Sequence, residues 1–238
     1  MMRSRLGLKA LGLCAVLVGM FAFTGAAQAT TGAFWKINGA KAKGGETVEA
    51  KTDVEGVLLT ELGGKFIHLK CPTINLIGAK LVEPNGGITG KIDFKGCKFF
   101  SLKTAGGELV EQKACEPKNE GVPGLIVTNT IDGLIVLHTP PGGTAEGVLE
   151  AVGLPDFATI VLGPECAFGE GILVEGKFFL KDCLKQFSTD VKEHLVEELK
   201  ELTKLTLNGG AKTAIIDGSA WAFLGGANAG KLWSGKPA

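Results

Sequence analysis

Tyrosine is missing from this chain altogether, and arginine occurs only at positions 3 and 5. Tyrosine is enriched in recognition surfaces, so a large aromatic binding platform is not expected. Arginine is the side chain that reads phosphates and guanine edges with its planar fork. Without it, and without any basic patch, nucleic acid is not an expected partner. Only one long apolar run is present, Ala10–Phe23. It is shorter than the roughly 20 residues that cross a bilayer. No second run follows, so no membrane span is expected in the remainder.

The apolar run sits inside a recognisable leader. Residues 1–9 carry Arg3, Arg5 and Lys9 and no acid. Thr24–Ala29 is small and polar, and Ala27-Gln28-Ala29 fits the A-x-A cleavage pattern. A positive start, a short apolar core and a small-residue exit define a secretory signal. The expectation is therefore a signal peptide over 1–29 and one β-rich extracytoplasmic domain over 30–238. Cys14 follows Leu13, where a lipoprotein signal needs a small residue, so a lipid anchor is not expected. The full chain has zero net charge. Losing three positive charges with the leader leaves the mature part slightly acidic.

Beyond the leader, short apolar or alternating segments are separated by Gly, Asn and Pro. Lys91-Ile92-Asp93-Phe94-Lys95 alternates most cleanly, sending one face to a core and the other to water. Leu125–Val127, Leu134–Leu137, Ala158–Val161 and Ala214–Ile216 read in the same way. Pro84-Asn85-Gly86-Gly87 is a hairpin signal, because Asn-Gly takes positive φ at little cost. Asn208-Gly209-Gly210 and Asp217-Gly218 read as further turns. Many short strands with regular turns predict an all-β fold, an antiparallel β-sandwich or barrel.

One segment reads differently. Val191, Leu195, Leu199 and Leu202 recur at helical spacing, and Asp190 with Glu193 makes a capping box. The pattern predicts one amphipathic α-helix at about 188–204, packed on the sheet by its leucines. Its polar face mixes lysines with glutamates, so anionic lipid is not an expected partner.

Five cysteines lie beyond the leader, and export makes disulfides the default reading. If Pro84 faces Gly87 across the hairpin, Cys97 falls opposite Ile74, close to Cys71. A Cys71–Cys97 bond is therefore favoured. Cys166 and Cys183 flank what reads as one continuous strand. Its extended length is roughly 35–40 Å, far beyond the reach of a disulfide at about 7 Å. Cys115 with Cys166 is favoured, and Cys183 is left as a free thiol. A turn at Glu175-Gly176 would reverse that choice. Each bond is expected to add about 3 kcal/mol.

Several motifs come close to a chemistry and miss it. Gly225–Lys231 has the spacing of a phosphate loop, but Leu232 stands where Ser or Thr should hold magnesium. His194-Leu195-Val196-Glu197-Glu198 resembles a zinc-protease helix with Glu198 in place of the second histidine. Two ligands do not make a zinc site, and His68 and His138 have no partner at metal spacing. No G-x-S-x-G elbow is present. No catalytic, cofactor-binding or metal-ligating residue is nominated, and no cofactor is expected. Trp35, Trp221 and Trp233 are read as plugs closing terminal strands, with an exposed binding patch as the alternative.

Seven segments in order carry a resemblance: Phe34–Gly39, Phe94–Lys98, Phe157–Ile160, Glu165–Glu170, Lys181–Cys183, Ile216–Ala220 and Gly230–Gly235. Together they resemble an uncharacterised group of secreted bacterial proteins that is rich in β-structure and contains cysteines. The resemblance spans most of the mature chain. It implies a bacterial exported protein with all five cysteines in family positions. The group has no assigned activity, so it names no catalytic residue.

These readings predict an uncharacterised exported protein, secreted or held in the periplasm or cell envelope. The first expectation is a non-catalytic structural or interaction protein that meets an unknown protein partner through an edge or loop face. The second is a carrier with a small apolar ligand in a β-barrel cavity. The third is a hydrolase whose site is dispersed in sequence. An unpaired Cys183 adds the expectation of a covalent dimer.

Overall fold

The computed structural model describes residues 28–29, 32–102 and 107–237. Of the expected leader, only Gln28 and Ala29 fall among them, where they pair with Leu137 and Val136. The rest of the leader, and with it Cys14, lies outside the described residues.

Fourteen strands of four residues or more are labelled here in chain order. They are β1 (Phe34–Ile37), β2 (Val48–Leu62), β3 (Lys65–Cys71), β4 (Thr73–Val82), β5 (Gly87–Lys95), β6 (Lys98–Leu102) and β7 (Thr130–His138). Then follow β8 (Glu146–Leu154), β9 (Ala158–Val161), β10 (Gly171–Asp182), β11 (Glu193–Glu198), β12 (Lys204–Leu207), β13 (Lys212–Leu224) and β14 (Trp233–Lys236). Every pairing among them is antiparallel. The only helical pieces among the described residues are two three-residue 3₁₀ turns.

Eight of these strands follow one another round a ring, in the order β4, β5, β7, β8, β10, β11, β13, β2. The ring closes between β2 and β4 with a sparser seam. Thr47 bridges Lys80, the Leu81 amide donates to the Glu46 carbonyl, and the Gly45 amide donates to the Leu81 carbonyl. At the other end the Ile74 amide donates to the Thr52 hydroxyl at 2.7 Å. A sheet closed on itself has no hydrogen-bonding edge to protect. Glycine allows the tight approach beside the seam. A Cβ on Gly90 would stand 2.7 Å from the Ala79 Cα.

β2, β10 and β13 continue beyond the ring. Their far halves pair with β3, β9 and β12. This end holds a second core that includes Ile67, Leu69, Phe99, Ile160 and Leu207, together with the four paired cysteines. Cys71 bonds to Cys97 and Cys115 to Cys166, and Cys183 is free and exposed. β10 runs unbroken from Gly171 to Asp182. Gly176 takes a φ of +105° within it but stays paired with Leu205 in unbroken register, so no turn brings Cys166 to Cys183.

The expected helix at about 188–204 does not form. Glu193–Glu198 is strand β11, paired with β10 on one side and β13 on the other. The spacing that suggested a helix is ambiguous: residues four apart share a face in a helix and in a strand alike. Val191, Leu195 and Leu199 fit both periods, and the ring needs a strand between β10 and β13. Leu199 and Leu202 instead cover an outer apolar patch of Val136, Val148 and Phe179.

Two smaller expectations also change. The turn at Asn85-Gly86 forms with both residues at positive φ, but its loop is longer than expected. Val82 faces Gly87, and after a bulge at Gly78 it is Phe94, not Cys97, that lies opposite Ile74. Cys71 reaches Cys97 from the end of β3. Asp217-Gly218 is not a turn but a bulge inside the continuous strand β13. There a Cβ on Gly218 would stand 2.6 Å from the Glu55 carbonyl.

Candidate functional site

The ring encloses a cavity of about 150 Å³. Its wall follows from the alternation of each strand. Every ring strand turns residues two apart inward, such as Val48 and Ala50, Gly90 and Ile92, and Leu149 and Ala151. The intervening residues face out, and several of them are charged. Lys181 pairs with Glu197 at 3.1 Å on the outside, and Lys177 pairs with Glu150.

One end is closed by the two termini of the described domain. β1 and β14 pair with each other and carry Trp35 and Trp233, both fully buried. Their rings lie 5.3 Å apart and both border the cavity. The Trp35 indole donates to the Gly87 carbonyl at 2.7 Å, and the Trp233 indole donates to the Lys192 carbonyl at 3.2 Å. Trp221 is separate from them. It lies on the outer face, where its indole donates to Asp53.

Beside the plug, His194 is fully buried. Nδ1 lies 2.7 Å from Asp182 Oδ2, and Nε2 lies 3.1 Å from the Trp233 carbonyl. The imidazole packs 4.7 Å from the Trp233 ring and 5.2 Å from Phe187. This is a buried acid–histidine pair, the feature a hydrolase would need. Both ring nitrogens are committed, however, and neither His194 nor Asp182 borders the cavity. The pair ties β10, β11 and β14 together.

Glu198 stands at the cavity wall, as do Lys91, Glu197 and Asp217. Glu198, two residues along the inward face from Val196 and opposite Leu180, is 7% exposed. Both of its carboxylate oxygens are fully buried, with the Thr203 side chain and the Ile216 backbone as their hydrogen-bonding neighbours. The nearby Ser219 hydroxyl is already donating to Asp53 at 2.8 Å. Burial pushes the Glu198 carboxyl above its ordinary range, and Asp217 adds a little. The Thr203 side chain, the Ile216 backbone and Lys200 act in the opposite direction and do not cancel it. Asp217 itself is held low by its contact with Lys200, 2.9 Å away at the surface.

The sign of the resulting pH dependence follows. A carboxyl with a raised native pKa binds its proton more tightly folded than unfolded. Its contribution to stability is complete below the ordinary carboxylate range and is lost as pH rises through the raised value. Glu198→Gln is expected to remove that decline, so the variant gains on the parent protein between pH 4 and pH 8. Urea melts across this range measure the difference. Asp190 and Asp217, both held low, work in the opposite direction as pH falls and are unchanged by the substitution.

Among the described residues, no three His, Cys, Asp or Glu side chains gather where they could hold a metal ion. His194 and Glu198 do share a face, but of a strand, and only Glu198 borders the cavity. His68 sits on β3 and His138 at the end of β7. The Cys183 thiol is pushed up by partial burial and by Glu197, the reverse of what a reactive thiolate requires. The glycine-rich segment after Leu224 forms a 3₁₀ turn at Gly226–Asn228 with no helix beyond it. The sequence reading missed Glu198 because it placed the residue on a solvated helix face. The available signal was the alternation His194, Val196, Glu198 against Glu193, Leu195, Glu197. No protein family, curated protein or solved structure matches this chain.

Proposed function

We propose that this chain is an exported, non-catalytic binding protein that carries a small apolar molecule inside its β-ring. The observation that supports this reading is the cavity itself. Protein interiors are packed at crystal density and rarely keep voids larger than a water molecule. An empty cavity costs about 24 cal/mol per Å³. At about 150 Å³ the cost comes to about 3–4 kcal/mol, a large share of an ordinary folding free energy. Water fills such a space poorly, because each molecule needs two to four polar partners. Here the accessible wall is almost entirely hydrocarbon. A cavity of this size and lining suits a molecule about as large as benzene.

The two disulfides are consistent with an extracellular or otherwise oxidising compartment. The leader read from the sequence supports the same location. Docking of a protein partner on an outer face has less behind it. The large exposed hydrophobic residues, such as Val54, Val110, Leu154, Leu184 and Leu232, are scattered over different elements.

Calorimetric titration with toluene tests the proposal. Saturable binding at one site is expected, and the absence of binding would count against it. Ala151 is buried and points into the cavity. Ala151→Met should fill part of the space with an adaptable side chain. Toluene affinity is expected to fall at least tenfold while the melting temperature holds or rises. A loss of binding that comes with a lower melting temperature would show that the wall, not the space, had been damaged.

A further inference from the structure

We infer that the ligand is an unbranched aliphatic chain, and that it lies through two chambers in line. The inference rests on the binding function proposed above and adds the class of ligand. A second, smaller cavity of about 40 Å³ lies beyond the first. Every side chain around it is hydrocarbon apart from the Cys71 sulfur. Phe94, Phe157 and Ile216 border both spaces and form the partition between them. The long strands carry the enclosure from one chamber to the other. On β10, Leu180 and Phe178 line the first and Val174 lines the second. From Leu180 to Val174 the strand advances about 20 Å.

The sizes decide between a ring and a chain. A benzene-sized ring takes a space of about 150 Å³, which the first chamber offers. The second is far too small for a ring, yet it exceeds the roughly 10–15 Å³ that admits one water molecule. Water gains no polar side chain there to bond, and a void left empty forfeits its packing contacts. A rigid ring fills one chamber only. A thin chain with rotatable bonds fills both. The partition is able to admit it. Phe157 is fixed, at 3% exposure and edge-on to Phe178. Phe94 and Ile216 are only partly buried, so each has space for another rotamer. Gly56 keeps that space open. A Cβ there would stand 3.2 Å from Ile74 Cδ1 and 3.4 Å from Phe94 Cε1.

Toluene, n-hexane and n-octane separate ring from chain on the protein after leader removal. Each is supplied through the vapour and followed by isoleucine-methyl NMR, with alkane affinities taken from displacement of toluene. n-Octane should bind at least tenfold more tightly than n-hexane, because each added methylene that leaves water is worth about fourfold. At saturation n-octane should shift the Ile126 and Ile160 methyls, which line the second chamber. Toluene should leave those two in place. Ala158 is buried and lines the second chamber. Ala158→Val should remove the advantage of octane over hexane while toluene affinity stays within about twofold. Octane binding no tighter than hexane in the parent protein would overturn the inference. So would Ile126 and Ile160 methyls that stay in place with octane bound, or a folded Ala158→Val that keeps the octane advantage. In each of these cases toluene still binds and the proposed function stands. If neither toluene nor either alkane binds, the proposed function falls and the inference falls with it. The parent-protein comparison needs no variant, so misfolding of Ala158→Val does not leave the inference undecided.

Discussion

Replacing Cys115 and Cys166 together, by Cys115→Ser with Cys166→Ser, is expected to lower the unfolding free energy by about 4 kcal/mol. The bond closes a loop across a sequence separation of 51. Loop-closure entropy grows slowly with length, and for a loop of this size the unfolded chain loses about 4 kcal/mol of freedom. Both sulfurs are buried in the second core, beside Ile160 and Leu162. Ordinary domains hold only about 5–15 kcal/mol in total. A chain that loses this bond is therefore left close to the threshold of folding. The consequence bears on where the protein works: a reducing cytosol would leave the chain marginal, and an oxidising space completes it. Urea denaturation of the parent and the double-serine protein measures the difference. A loss below about 1 kcal/mol would mean that packing alone holds this end together.

His194→Leu is expected to cost about 3–5 kcal/mol. The imidazole is fully buried, and its partner Asp182 is only 2% exposed at the side chain. Removing one member of a buried pair leaves the other as an uncompensated polar or charged group, which is far costlier than losing the pair as a unit. Asp182 keeps the Leu184 amide on its other oxygen at 3.0 Å. That bond does not replace the ring nitrogen on Oδ2. The Trp233 carbonyl loses its contact with Nε2 in the same step. A double-mutant cycle with Asp182→Asn separates the pair from the packing, because the neutral amide is cheaper to strand. The double variant should recover part of the loss. Equal losses in the single and double variants would assign the whole effect to the Phe187–His194–Trp233 stack.

The fold was legible wherever one local rule had no rival. Strict alternation at Ile92 and Phe94 and the turn at Asn208-Gly209 all read directly from residue type. Cys71 with Cys97 was placed by the hairpin between them, although the register used to argue it was off. The loop proved longer than two residues, and the bulge at Gly78 shifted the strands once more. Such slips are invisible in sequence because they depend on how the partner strand twists. β11 shows the other limit. Val191, Leu195 and Leu199 in and around it sit four apart, a spacing that suits both periods, and only the vacancy between β10 and β13 decides for the strand. Tertiary pairing overrides local propensity there.

The cavity was not legible at all. It is assembled from two to four inward residues on each of eight strands, and each of them reads locally as ordinary core. The space exists because small residues, Ala50, Ala151, Ala220 and Ala222 among them, stand where larger ones would close it. Nothing in the spacing of one strand reports that its neighbours are also small. Glu198 was hidden for the same reason. On a strand its side is fixed by parity, and parity is known only once the segment is known to be a strand.

Isoleucine-methyl NMR during a toluene titration tests the central claim most directly. The account predicts saturable shifts of the Ile74, Ile88, Ile92 and Ile131 methyls, which border the cavity. The methyls of Ile67 and Ile172, in the second core, should not move. Shifts spread over surface methyls, or none up to the solubility limit of toluene, would contradict it.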